Sequence, residues 1–125
     1  MSNIKVFEND LPKDLDLSNE KFIGLDNEAL GLVLGRDPLT LVQLGLESKN
    51  FYLIKLNRET YHAPNLIRAL SNESTQYIMH YARQDLLWLK YHLNVKPKNI
   101  FCTKVASKIA RTASSYHGYK DLVKE

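Results

Sequence analysis

Apolar residues along this chain fall into short dense runs separated by polar clusters. Residues 22–25 (FIGL) are apolar throughout and precede a polar cluster, which predicts a buried strand. Two further runs, 39–46 (LTLVQLGL) and 50–56 (NFYLIKL), are split only by Glu47, Ser48 and Lys49, a spacing that suits a hairpin. Pro64 can open a helix to residue 70, because proline is well tolerated in a first turn. Residues 76–81 (QYIMHY) read as a fourth strand. Asp85 then stands before LLWLKYHL, a dense apolar helix. A short fifth strand is expected at 99–102 (NIFC) and a helix at 103–113, after which Gly118 interrupts and another helix begins. Residues 1–20 form an opening arm with a turn near 9–12. Gly31, Gly35 and the Asp37-Pro38 pair mark a loop after the first strand.

The expected order is three hairpin-linked strands followed by strands alternating with helices. That order implies an α/β fold: a mixed five-stranded sheet flanked by helices. Crossover handedness makes the later strands parallel to the first. The 125 residues leave room for one domain and not two. With 44% hydrophobic and 25% charged residues, the chain is neither disordered nor a disulfide scaffold. The lone Cys102 cannot form an internal bridge or a Cys-rich zinc site. No apolar run is long enough to span a bilayer, and the start carries no signal-like apolar segment, so a cytoplasmic setting away from membranes is expected. The formal charge of +3 is compatible with nucleic acid but does not demand it.

Three acids stand where chemistry can use them. Asp26 and Glu28 lie two residues apart at the end of the first strand, so their side chains share one side. Asp85 follows the fourth strand. If those strands are neighbours, all three carboxylates converge on one edge of the sheet, where open α/β sheets bind ligands. Hard oxygen donors of this kind suit Mg²⁺ or Mn²⁺. Turn chemistry for Asp26 and Glu28, and helix capping for Asp85, are the plain alternatives. No glycine-rich phosphate loop and no Ser nucleophile elbow is present.

The stretch IGLDNEALGLVLGRDPLTLVQLG (23–45) resembles the first motif of the ribonuclease D-like 3′–5′ exonucleases of the DEDD superfamily. YIMHYARQDLLWLKYHL (77–93) resembles their second motif, with His-x4-Asp and an apolar helix. NIFCTKVASKIARTASSYHGYKDL (99–122) is similar to the connector that follows, and NDLPKDL to the opening segment. Two motifs and a connector in order are far more specific than a lone Asp-x-Glu. The resemblance implies a ribonuclease H-like fold and one exonuclease domain over 1–125, with residues 1–20 as its opening arm. Asn27 stands where the family usually has Thr; its side chain is expected to point away from the acids. The third motif of the DEDDy branch, Tyr-x3-Asp, has no counterpart. His117-x3-Asp121 and Tyr116-x4-Asp121 have the wrong residue type or spacing. The chain therefore reads as a C-terminally truncated member.

The resemblance implies hydrolysis from the 3′ end of single-stranded RNA or DNA by two divalent ions about 4 Å apart. It implies that Asp26 bridges both ions, Glu28 holds the first and Asp85 the second. Without the fourth carboxylate and the tyrosine, the two-metal site is incomplete and activity is expected to be weak or absent. The alternatives are a non-catalytic nucleic-acid-binding remnant, a subunit whose partner supplies the fourth carboxylate, and a plain interaction domain. Lys104, Lys108 and Arg111 share one helix face, either as a phosphate-contacting stripe or as a solvated face. Arg83 can meet a phosphate or pair with an acid. Leu32 is either core or, by the resemblance, a wedge against the terminal base. His80 reads as a hydrogen-bonded structural residue, and Trp88 and Cys102 as core. A sheet face left bare by a missing helix predicts a homodimer.

Overall fold

The computed structural model describes residues 3–110 and 118–123. In chain order the elements are β1 (Asn3–Glu8), β2 (Phe22–Ala29), β3 (Leu39–Leu46), β4 (Asn50–Lys55), α1 (Pro64–Leu70), β5 (Gln76–Met79), α2 (Ala82–Leu93), β6 (Ile100–Cys102), α3 (Thr103–Ala110) and α4 (Tyr119–Val123). The strands form one six-stranded sheet in the order β1-β4-β3-β2-β5-β6. β2, β3 and β4 form the antiparallel meander expected from the hairpin spacing. β5 runs parallel to β2, and β6 parallel to β5. The mixed α/β architecture is as expected.

The strand count is six rather than five. The extra strand comes from the opening arm: residues 3–8 pair in parallel with β4, from Asn3 opposite Asn50 to Glu8 opposite Lys55. Its side chains are largely exposed, so its hydrophobic signal is weak. A second difference falls between β5 and α2. The strand stops at Met79, and Tyr81 adopts a left-handed conformation (φ 56°) from which α2 starts at Ala82. Asp85 therefore lies inside the first turn of the helix and does not cap it.

The two sheet faces differ. One carries Ile23, Leu25, Val42, Leu44, Tyr52, Ile54, Tyr77 and Met79, all buried together with Leu66, Leu70, Trp88, Leu89 and Leu93 of α1 and α2. Cross-strand register places Asp26 beside Gln43, Gly24 beside Gly45 and Ile78, and Phe51 beside Ile4. These residues share the other face, since side chains alternate along each strand. That face is open at its apolar end: Ile4, Val6, Phe22, Phe51 and Phe101 are all exposed. Among the described residues, no helix is long and apolar enough to cross a membrane.

Candidate active site

The Asp-x-Glu pair sits on β2, where the strand must serve two masters. Ile23 and Leu25 alternate into the core, which turns Asp26 and Glu28 to the open face. A bulge between Glu28 and Ala29 ends the regular ladder with β3. The Thr40 hydroxyl donates to the Glu28 carbonyl at 3.0 Å and holds that end in place.

Asp85 arrives from α2. Its carboxyl is pushed up to about 7, first by burial, then by the charge of Asp26, a hydrogen bond with Asp26 and the charge of Glu28. The structure thus brings the three sequence-predicted acids near one another, with Asp85 hydrogen-bonded to Asp26 and Glu28 close enough for its charge to be felt. An acid in a helix's first turn normally gains about 0.3–1 kcal/mol as an anion from the helix dipole. Here burial and two like charges outweigh that gain.

The donor set suits a hard divalent cation, which would offset the repulsion among the acids. Among the described residues, however, no three acids, histidines or cysteines gather close enough to enclose an ion in the side-chain arrangement seen. The carboxylates fit such an ion in chemistry and in neighbourhood, with Asp85 turned onto Asp26 instead.

Asn27 contributes something the sequence reading missed. Its side chain points away from Asp26 and Glu28, as expected, and its amide donates to the Asp85 backbone carbonyl at 3.2 Å. The residue between two acids on the strand thereby ties the strand to the helix that carries the third. Its own N–H donates to Asp26 Oδ1 at 2.9 Å.

The remaining candidates scatter. Leu32 is 81% exposed in the loop after β2, so the core alternative is excluded. That loop is closed by Asp37, whose carboxylate accepts from Val33 N–H at 2.9 Å and from the Arg36 guanidinium. A side chain at Gly31 would collide with this carboxylate. Arg83 is exposed on the first turn of α2. Lys104 is half-buried, with Nζ 3.9 Å from the centre of the Tyr81 ring, and Lys108 is exposed. Arg111, Tyr116 and His117 lie outside the described residues. Trp88 is buried and stacked on His92, as core packing predicts. Cys102 is only half-buried, and its Sγ accepts from Ala82 N–H at 3.4 Å.

Beside Asp26 the open face is hollowed into a cavity of about 580 Å³. Gly24 and Gly45 give it a floor without side chains; Phe51 and Leu53 stand on one side, His80, Thr103 and Tyr119 on the other. His80 Nδ1 lies 2.8 Å from the Thr103 hydroxyl, which confirms its hydrogen-bonded role.

The 3′–5′ exonuclease family profile matches residues 5–125. Among solved structures, Brucella melitensis NrnC bound to pGG matches with a TM-score of 0.89 and 35% identity, over 98% of this chain and 59% of that one. The same protein with bound Mg²⁺ matches at 0.89 and 36%, over 96% and 59%. Escherichia coli RNase D shares the fold at a TM-score of 0.68 and 19% identity, over 86% of this chain and 28% of that one. No curated protein sequence matches. The chain thus spans less than two thirds of the NrnC chains it matches.

Proposed function

Because the chain belongs to the 3′–5′ exonuclease family, we propose that it acts on the 3′ end of single-stranded RNA or DNA, with Asp26, Glu28 and Asp85 as its metal-binding acids. The observation that carries this reading is the convergence of the three: Asp85, drawn from another element, meets Asp26 within hydrogen-bond reach and lies in the field of Glu28. The NrnC structures holding pGG and Mg²⁺ support a strand and a divalent ion as the ligands.

Divalent ions bound there would neutralise charge growing on the phosphoryl oxygens and align the attacking water with the leaving oxygen. The chain's own groups have separate tasks. Asp26 and Asp85 would present carboxylate oxygens, and Glu28 would add a third carboxylate from the same strand. Asn27 holds the Asp85 turn against β2. Leu32, exposed in the loop after β2, can lie against the terminal base. Arg83 and Lys108 are solvent-facing cations suited to phosphates. Lys104, engaged with Tyr81, can serve the strand only near that ring.

A second reading is favoured by the absence, among the described residues, of a closed set of three ligands. The chain then binds a strand and needs a further carboxylate from a partner for turnover. With three acids, the rate is expected to lie about 10²–10⁴-fold below that of a site with a full set of positioned groups. The apolar end of the open face would favour pairing of two copies, leaving the acids at the other end free.

The test is degradation of a 5′-labelled single strand in Mn²⁺, with Asp26→Ala as control. Slow stepwise shortening that vanishes in the variant supports catalysis by this chain. Metal-dependent binding without shortening supports the second reading. A strand neither bound nor shortened overturns both.

A further inference from the structure

We propose that the groove between the opening arm and helix α1 is a second ligand site, which takes a nucleoside 5′-monophosphate. It lies apart from the three acids and does not depend on the exonuclease reading.

The topology sets the groove apart. β1 and β2 run in the same direction, because β1 is parallel to β4 and the meander reverses twice between β4 and β2. The arm therefore leaves β1 at the end of the sheet where the acids lie and returns along the molecule to start β2 at the other end. Asp10 fastens it to the start of α1 on the way. Helix α1 packs on the sealed sheet face, whereas Asp26 and Glu28 stand on the open one. Between the arm and the side of α1 lies a cavity of about 540 Å³, within the size range of small-molecule sites. None of Asp26, Glu28 and Asp85 lines it.

The lining divides by chemistry. Lys13 and Arg68 bring two cations, and neither forms a salt bridge among the described residues. Arg68 is held ready: its Nη2 donates to Asn65 Oδ1 at 2.8 Å, and the Asn65 amide donates to Asp10 at 2.9 Å and to the Leu11 carbonyl at 3.1 Å. That one bond leaves most of the guanidinium N–H groups open. The last-turn carbonyls of α1, which would repel an anion, are taken. Ile67 accepts from the Ser71 N–H and hydroxyl at 3.0 and 2.7 Å, and Ala69 from the Asn72 N–H at 3.2 Å. Asp16 is the acid of the groove. Its carboxylate accepts from the Ser18 N–H at 2.9 Å and from the Ser18 hydroxyl, and it feels the charge of Arg68. Leu15, Leu17 and Ala69 add an apolar wall.

A ligand that uses all of these needs an anion, hydroxyl donors and an apolar face. A phosphate monoester carries about −1.5 to −2 charge at neutral pH, which matches Lys13 and Arg68. Sugar hydroxyls can donate to Asp16, as they do to the acid of dinucleotide sites. A base has an apolar face for the leucines. Inorganic phosphate would leave the acid and the apolar wall unused. Removing nucleotides from a 3′ end releases molecules of this class, so on the exonuclease reading the groove meets the reaction's own product.

Isothermal titration calorimetry in EDTA tests the site without metal at the acids. Uridine 5′-monophosphate should bind once per chain, about tenfold or more tighter than uridine or inorganic phosphate. Arg68→Gln should weaken it about 10–100-fold, the worth of hydrogen bonds to a charged group. Lys13→Gln, on the arm, reads the same site without touching α1 and should weaken it too. Asp26→Ala should bind the nucleotide as the unaltered protein does. Inorganic phosphate binding as tightly as the nucleotide overturns the proposal. So does binding that is lost in Asp26→Ala and kept in Arg68→Gln and Lys13→Gln, or no binding at millimolar nucleotide. Each of these outcomes leaves the exonuclease reading standing.

Discussion

At Asp85 two tendencies oppose each other: the helix start favours an anion, whereas burial and the neighbouring acids favour a neutral group. The packing around it is therefore built against its charged form unless a cation is present. Asp85→Asn keeps the shape and a donor toward Asp26 while removing the charge. In chelator at pH 8 the variant is expected to melt several degrees above the unaltered protein, and added Mg²⁺ should raise the melting point of the unaltered protein only. Differential scanning fluorimetry reads both. His92 shows a similar conflict without acids. It packs among Tyr61, Trp88 and Tyr91, and its buried Nε2 has no partner among the described residues. Burial holds its imidazole below the ordinary value of 6.5. The unfolded chain then binds the proton more readily, so stability is full above that pH and is lost as the pH falls below it. His92→Phe keeps the ring stack and should flatten this acid-side loss. Urea midpoints against pH, compared between the two proteins, measure it.

Helix α1 depends on a distant element for its beginning. Ala63 precedes it and offers no side-chain cap. Asp10 of the opening arm does so instead. Its carboxylate accepts from Leu66 N–H at 2.8 Å, Asn65 N–H at 3.1 Å and the Asn65 side chain at 2.9 Å. Asp10→Ala should cost about 1–2 kcal/mol in urea unfolding, and amide exchange should accelerate first in α1. This contact shows what the sequence could and could not convey about the elements. β2, β3 and β5 were legible because each contains a short dense apolar run, although the run in β2 marks only its first half. β1 was not, because its partner lies far along the chain and only Ile4, Val6 and Phe7 carry its pattern. The start of α2 was misplaced because nothing local announces the left-handed turn at Tyr81. At the site, the shared side of Asp26 and Glu28 follows from strand periodicity alone. The Asn27 tether to Asp85 and the His80–Thr103 contact depend on distances between elements, which no single stretch of residues encodes.

Over the whole molecule, one sheet face is sealed by α1 and α2 while the other presents Ile4, Phe22 and Phe51 at 63%, 40% and 40% exposure. The Phe51 ring packs closely against Gly45. A patch of this kind favours association. Light scattering at rising concentration is expected to register a dimer, and Phe51→Glu to return it to a monomer without a loss of melting point. A monomer at all concentrations would count against pairing through this face. The placement of β1 carries a different consequence, one of timing. A strand that pairs in parallel with β4 must wait until β4 has been made, and Asp10 must wait longer still, for α1. During synthesis these residues thus emerge well before the partners they pair with, and until they dock the edge of β4 stays open to other strands.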